Sequence, residues 1–328
     1  MPNPNVNKQT STVTAGAAES PNGARPWEDT KLSDQVRYES YLNVAREHVK
    51  RIQVAAKREN LTTSEKEAMM SDPDNKFWIS ELRQLKGETA EQFCYRIDGG
   101  AQRELLGKNF LGAEEWKKGF GVDVGQVPPI PASVTKELLN SECPLHPGQK
   151  IKDTHVLMLV PKTVNGEAYT PLKLDELCAG RKGSGIRLIY DGADWANKWK
   201  GQEWATIPQA ASEWVLIPKS DPDPKVSPDK HFRSKDIAAQ QAVYDAHYSE
   251  YREVKTLEVM TLALLNDLVN GEPRILDGSN YLRCEEPNAS GGRVCVGSFN
   301  ADGLKVRDGG VGGAHGSVGR ALARKLKT

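Results

Sequence analysis

A chain of 328 residues, at about 150 per domain, has room for two regions and for a core that needs no disulfide or metal staple. Its 44 Lys and Arg balance 44 Asp and Glu, so no global field draws it to nucleic acid or to an anionic membrane. Its mean hydropathy of -0.58, with 29 Gly and 19 Pro, is polar and turn-rich, yet the apolar runs further along exclude a wholly disordered chain.

Met1 to Pro26 is rich in Asn, Thr, Ser, Ala and Gly and has no basic start followed by an apolar run. Residues 1–29 therefore read as a disordered tail without a secretory signal, and the expected location is the cytoplasm or outside the cell by another route. From Thr30 to Leu61 the apolar residues Leu42, Ala45, Val49, Ile52 and Ala56 recur every three or four positions, which predicts one long amphipathic helix. Capping-box spacing in Thr62/Glu65 and Ser64/Glu67 opens a short second helix. Asp72-Pro73 opens a third, with Phe77, Trp78, Leu82 and Leu85 on one face, and Thr89 caps a fourth carrying Phe93, Ile97 and Leu105. Residues 30–125 are thus expected to be a helical region.

Val127-Pro128-Pro129-Ile130-Pro131 cannot be helical, because proline removes donors and pushes its predecessor into extended geometry. A linker over 126–150 is placed there, and the pattern then changes. Val156 to Val160, Ile186 to Tyr190 and Trp214 to Ile217 read as strands. Ser234 to Tyr248 and Arg252 to Val269 show helical spacing, the second ended by Asn270-Gly271. Short strands over Tyr281–Cys284, Arg293–Val296, Leu304–Val306 and Val318–Leu326 close the chain. The fold class is α+β: a helical N-terminal region, then, over 151–328, a mixed or antiparallel sheet with two helices. The longest apolar runs are far short of the roughly 20 residues of a bilayer span.

No constellation of reactive residues is complete. The five cysteines, Cys94, Cys143, Cys178, Cys284 and Cys295, are scattered and contain no C-x-x-C pair. Cys143 and His146 at C-x-x-H spacing, with His155 near, make half a zinc site, so no metal or other cofactor is expected. The glycine-rich run from Gly309 to Gly319 fits neither the mononucleotide loop nor the dinucleotide fingerprint, because the required registers are missing. A nucleophilic thiol would need an imidazole beside it, and Cys284 or Cys295 with His315 are the pairings within one region. Trp195, Trp199 and Trp204, with Asp191 and Asp194, can be read as a binding platform of flat rings and hydroxyl acceptors; the alternative is a small satellite core. Arg320, Arg324, Lys325 and Lys327 read as a solvated face.

The order of elements after residue 150, with the rhythm of Tyr281-Leu282-Arg283-Cys284, Arg293-Val294-Cys295-Val296-Gly297-Ser298-Phe299 and Val318-Gly319-Arg320-Ala321-Leu322, resembles the C-type-lectin-like fold. That family includes ligand-binding modules and formylglycine-generating enzymes. Glu286-Pro287-Asn288 matches the first calcium and sugar triplet of its lectins, whereas the Trp-Asn-Asp triplet is absent. The stretches Asn140 to Lys150 and Thr154 to Gly166 also resemble proteins of chlamydia-like and other environmental bacteria with no assigned activity, which implies a bacterial source. The expectation is a non-enzymatic binding or assembly module, possessing no membrane span and no nucleic-acid role, that recognises a protein or glycan partner through Trp195, Trp199, Trp204, Asp191 and Asp194. The alternative is an enzyme using Cys284 with His315, or the glycine-rich loop.

Overall fold

The computed structural model describes residues 33–56, 63–64, 67, 72, 79, 99–180, 188–190, 199–222, 227–271, 275–276, 278–288 and 291–327. The chain divides into two compact units, Met1–Arg96 and Ile97–Thr328. In the first, helix α1 spans Asp34–Ala56. Leu42, Ala45, Val49 and Ile52 of the predicted stripe are buried along it, with Tyr41 beside them, and the side chain of Ala56 lies outside the described residues. The tail and the predicted second to fourth helices, up to residue 98, lie outside the described residues apart from isolated positions.

The second unit mixes short helices with two five-stranded sheets. It starts with α2 (Gly100–Leu106), β1 (Phe110–Leu111), α3 (Ala113–Phe120) and α4 (Lys136–Asn140). Then come β2 (Glu142–Cys143), β3 (His146–Lys150), α5 (Ile151–Thr154), β4 (His155–Val160), β5 (Thr163–Val164), β6 (Glu167–Ala168) and α6 (Pro171–Ala179). They are followed by β7 (Leu188–Tyr190), α7 (Glu203–Thr206), β8 (Glu213–Pro218), α8 (Ile237–His247), β9 (Tyr251–Glu253) and α9 (Thr256–Asn270). The chain closes with β10 (Tyr281–Pro287), β11 (Arg293–Asn300), β12 (Gly303–Gly309), β13 (Val318–Arg320) and β14 (Leu322–Arg324). The first sheet has the order β1-β4-β8-β14-β9 and the second β13-β10-β11-β12-β7. Ala321 alone separates β13 from β14, so one residue carries the chain from one sheet to the other.

Helix α9 holds the unit together. Every residue from Thr256 to Asn266 is buried, and a helix covered all round belongs to the core. It packs on β4 of the first sheet, on β10, β11 and β12 of the second, and on α3 and α6. Gly119 makes the approach of α3 possible, since a Cβ there would lie 2.7 Å from Leu265 Cδ1. Across the helix, Tyr169 and Thr261 share a hydrogen bond of 2.5 Å between hydroxyls. Among the described residues no helix is long and apolar enough to cross a membrane.

Three expectations need correction. The division falls at Arg96/Ile97, not in the proline segment, because β1 pairs in parallel with β4 and ties residues before the prolines to the first sheet. The proline stretch is itself packed: Val127 and Ile130 lie against the core, and Trp214 Nε1 donates to Pro128 O at 2.8 Å. The region 126–150 also contains α4, β2 and β3, and so is not a plain linker. Finally, the helix predicted from Arg252 starts at Thr256, because Tyr251–Glu253 pairs with β14 as an edge strand.

Candidate functional site

The three central strands of the second sheet sort their side chains by face. Across β10, β11 and β12, Leu282 is opposite Val296 and Val306, and these apolar residues look toward α9. Arg283, Cys295 and Arg307 are opposite one another on the other face, and the parallel pairing of β13 adds Arg320 beside Arg283. Period-two alternation in Leu282-Arg283-Cys284 and Leu304-Lys305-Val306-Arg307 is the cause. Arg320 is only 5% exposed, so it belongs to this buried row rather than to a solvated face.

At the end of that row lies a cavity of about 240 Å³ lined by Gln241, Tyr244, Arg252, Glu253, Glu285 and Arg320. Arg320 Nη2 donates to Gln241 Oε1 at 2.6 Å and to Glu253 Oε1, and its guanidinium lies 4.8 Å from the centre of the Tyr244 ring. Arg293 reaches the other oxygen of Glu253 at 3.7 Å. Arg252 grips the fully buried Glu258 with two bonds of 2.9 and 2.7 Å, and Glu258 accepts the Lys255 N–H at 2.9 Å to cap α9. Tyr244 donates its hydroxyl to Tyr251 O at 2.6 Å, and burial raises its pKa. Paired cations and carboxylates from α8, β9, β10 and β13 thus form a preset polar frame, while Glu285 is exposed at its rim.

Glu286 and Asn288, the matched triplet positions, are engaged elsewhere. Glu286 Oε2 accepts the N–H and the hydroxyl of Thr256 at 2.8 and 2.7 Å, and burial raises its carboxyl pKa. Asn288 bonds Gly292 N at 2.8 Å and Gly309 O at 3.1 Å. A Cβ on Gly292 would lie 1.9 Å from Gly309 O, so glycine is required for that closure. Among the described residues no three His, Cys, Asp or Glu side chains gather as metal ligands. Cys143 and His146 pair across the β2–β3 hairpin, but His155 is turned into the core. There its Nδ1 meets Thr154 Oγ1 at 2.9 Å and its Nε2 meets the Tyr251 hydroxyl at 3.2 Å, and burial drives its pKa down to about 3.

The structure does not bring Cys284 and His315 together. Cys284 is on the face packed against α9, where burial raises its thiol well above the ordinary value. His315 is exposed in the loop over the opposite face. Cys295 is on that face, but burial pushes its pKa up to about 11 against the pull of Arg283 and Arg307. Neither thiol is poised as a thiolate at neutral pH.

Trp195, Asp191 and Asp194 lie outside the described residues. Trp199 and Trp204 are buried, 1% and 7% exposed, and stack at 5.9 Å with 22° between their planes, so these two rings present no open face to a ligand. Of the cavity residues the sequence drew attention only to Arg320, and to it as a solvated cation, although the basic and apolar alternation in the closing strands carried a signal. No family model, curated protein or solved structure matches the chain.

Proposed function

We propose that the chain is a non-enzymatic binding module whose cavity between α8, β9, β10 and β13 holds a sugar unit of a glycan partner. The observation that carries this reading is the paired frame around Arg320: guanidinium donors and carboxylate acceptors are fixed beside the Tyr244 ring before any ligand arrives. Preset donors and acceptors with an aromatic side suit the hydroxyls and C–H faces of a sugar, and preorganisation reduces the ordering cost of binding. About 240 Å³ is small against the 300–1,000 Å³ of drug-sized pockets, which suits a single ring at the end of a larger chain. The buried, raised thiols support binding over thiol catalysis. The resemblance to the C-type-lectin-like fold belongs to this proposal. It would operate without the calcium triplet, since Glu286 and Asn288 are already bonded within the fold.

A glycan array probed with the labelled full-length chain tests it. The expected result is a set of glycans sharing one terminal sugar, with signal lost in Glu285→Gln while the fold is kept. An array without signal, or signal unchanged in that variant, rejects the cavity as the binding site.

A further inference from the structure

The arginine row carries a second feature that the cavity does not use. Arg283 is 3% exposed and donates Nη1 to Lys235 O at 3.1 Å and Nη2 to Gly313 O. Its Nε–H is buried without an acceptor among the described residues. No carboxylate of the described residues lies within ion-pairing distance of it, nor of Arg307 two strands further on. The acid nearest in effect, Asp236, uses Oδ1 to cap α8 through Ala239 N at 2.8 Å. Asp308 is opposite Val294 and therefore on the other face of the sheet.

A buried guanidinium without a counter-charge is costly, and proteins almost always supply one. Here Asp236 acts only from beyond ion-pairing distance, and the same face adds further cations. Arg307 and Lys305 share the face, and Arg307 lies 3.7 Å over the Tyr281 ring, which sets its plane. Over the row runs the glycine-rich loop, in which Gly310, Gly312 and Gly316 are exposed and have no side chain to block an approach. The loop is tied down by Gly313 O on Arg283 and by His315 O, which accepts the Ser234 N–H at 3.0 Å.

We propose that the face bearing Arg283, Arg307 and Lys305 is a binding site for a tetrahedral oxyanion, phosphate or sulfate, with the loop from Gly309 to Gly316 as its cover. Arg283 Nε supplies the buried donor, Arg307 the forked donor at the solvent side and Lys305 a further charge, the combination that favours oxyanions over chloride. The anion would come either free or as an ester group on a larger ligand, and these sources share the same recognition chemistry.

Thermal unfolding and calorimetric titration of the full-length chain test this. The probes are inorganic phosphate, sulfate and a sugar phosphate, each against sodium chloride at matched ionic strength, which removes general screening. A rise in Tm with saturable heat for inorganic phosphate is expected and identifies a free anion. A response to the sugar phosphate alone still supports the site and assigns it to an ester. Arg307→Gln, which is half-buried and tolerable to the fold, should weaken binding by at least about tenfold, the worth of one charge-assisted hydrogen bond. Arg283→Lys, which keeps charge but removes Nε, should weaken it similarly, and Glu285→Gln should leave it unchanged, which separates this site from the sugar cavity. No response beyond sodium chloride with any probe, or binding unchanged in Arg307→Gln, overturns the proposal.

Discussion

The two faces of the second sheet come from the same strands but were built to opposite ends. Toward α9, Leu282, Val294, Val296, Leu304 and Val306 are all buried and join the main core. On the far side, Arg283, Cys295, Arg307 and Arg320 line up with only a small apolar cluster of Tyr281, Cys295 and Val318 among them. The first face gains stability from area removed from water, whereas on the second Arg320 is paired with Glu253 while Arg283 and Arg307 carry charge under partial burial with no carboxylate partner among the described residues. The contrast teaches where binding is to be tested first: Arg283 and Arg307 stay charged on this face against the desolvation cost, with no carboxylate partner among the described residues.

The largest effects should fall on the main core, which the apolar face of the sheet joins. Trp199→Ala is expected to lose about 3–5 kcal/mol and Leu304→Ala about 2–5 kcal/mol, both measured by urea unfolding. A small loss at Trp199 would mean that its ring is a surface platform after all. Next, Glu258→Gln leaves Arg252 without its buried partner and should cost about 3 kcal/mol, a test of whether the cap of α9 anchors the frame of the cavity.

A pH effect follows in size, from His155 in the first sheet. Its folded pKa, about 3, lies below the unfolded value near 6.5, so the unfolded chain binds the extra proton between the two. Stability is therefore full above about pH 6.5 and falls as pH drops toward 3, by up to about 1.4 kcal/mol per pH unit. Unfolding free energies measured from pH 7 to 4.5 should show that slope, and His155→Gln should remove it; an unchanged slope would assign it to carboxylates. The smallest effect belongs to the outer face: Lys305→Ala should shift stability by no more than about 0.5 kcal/mol, and a loss like that of Leu304→Ala would erase the distinction between the faces.

Much of the architecture was legible because its signals are local. The strands at 156–160 and 214–217 read as continuous apolar runs and are buried on both faces, and Gly271 ends α9 at a φ of 69°. Arg252 to Val269 read as a helix, of which Thr256 onward is one, although its burial on every side does not follow from spacing alone. The cavity was not legible, since Gln241, Arg252, Glu285 and Arg320 are far apart in sequence and meet only through sheet order. The parallel pairing of β13 with β10 is what turns Arg320 from a tail cation into a wall of the cavity. Likewise the Glu286-Pro287-Asn288 triplet carried a pattern but not a role: the carboxylate is consumed by the start of α9, a contact 30 residues away in sequence. Trp199 and Trp204 showed the same limit, since a cluster of tryptophans reads alike whether it faces solvent or core.

The most direct test of the binding account is a crystal structure of the chain soaked with the terminal sugar of its strongest glycan on the array. The account predicts sugar density in the cavity, with hydroxyls on Glu285 and the Arg320 frame and a ring face toward Tyr244. Sugar density at another surface, with the cavity unchanged and filled only by solvent, would contradict it.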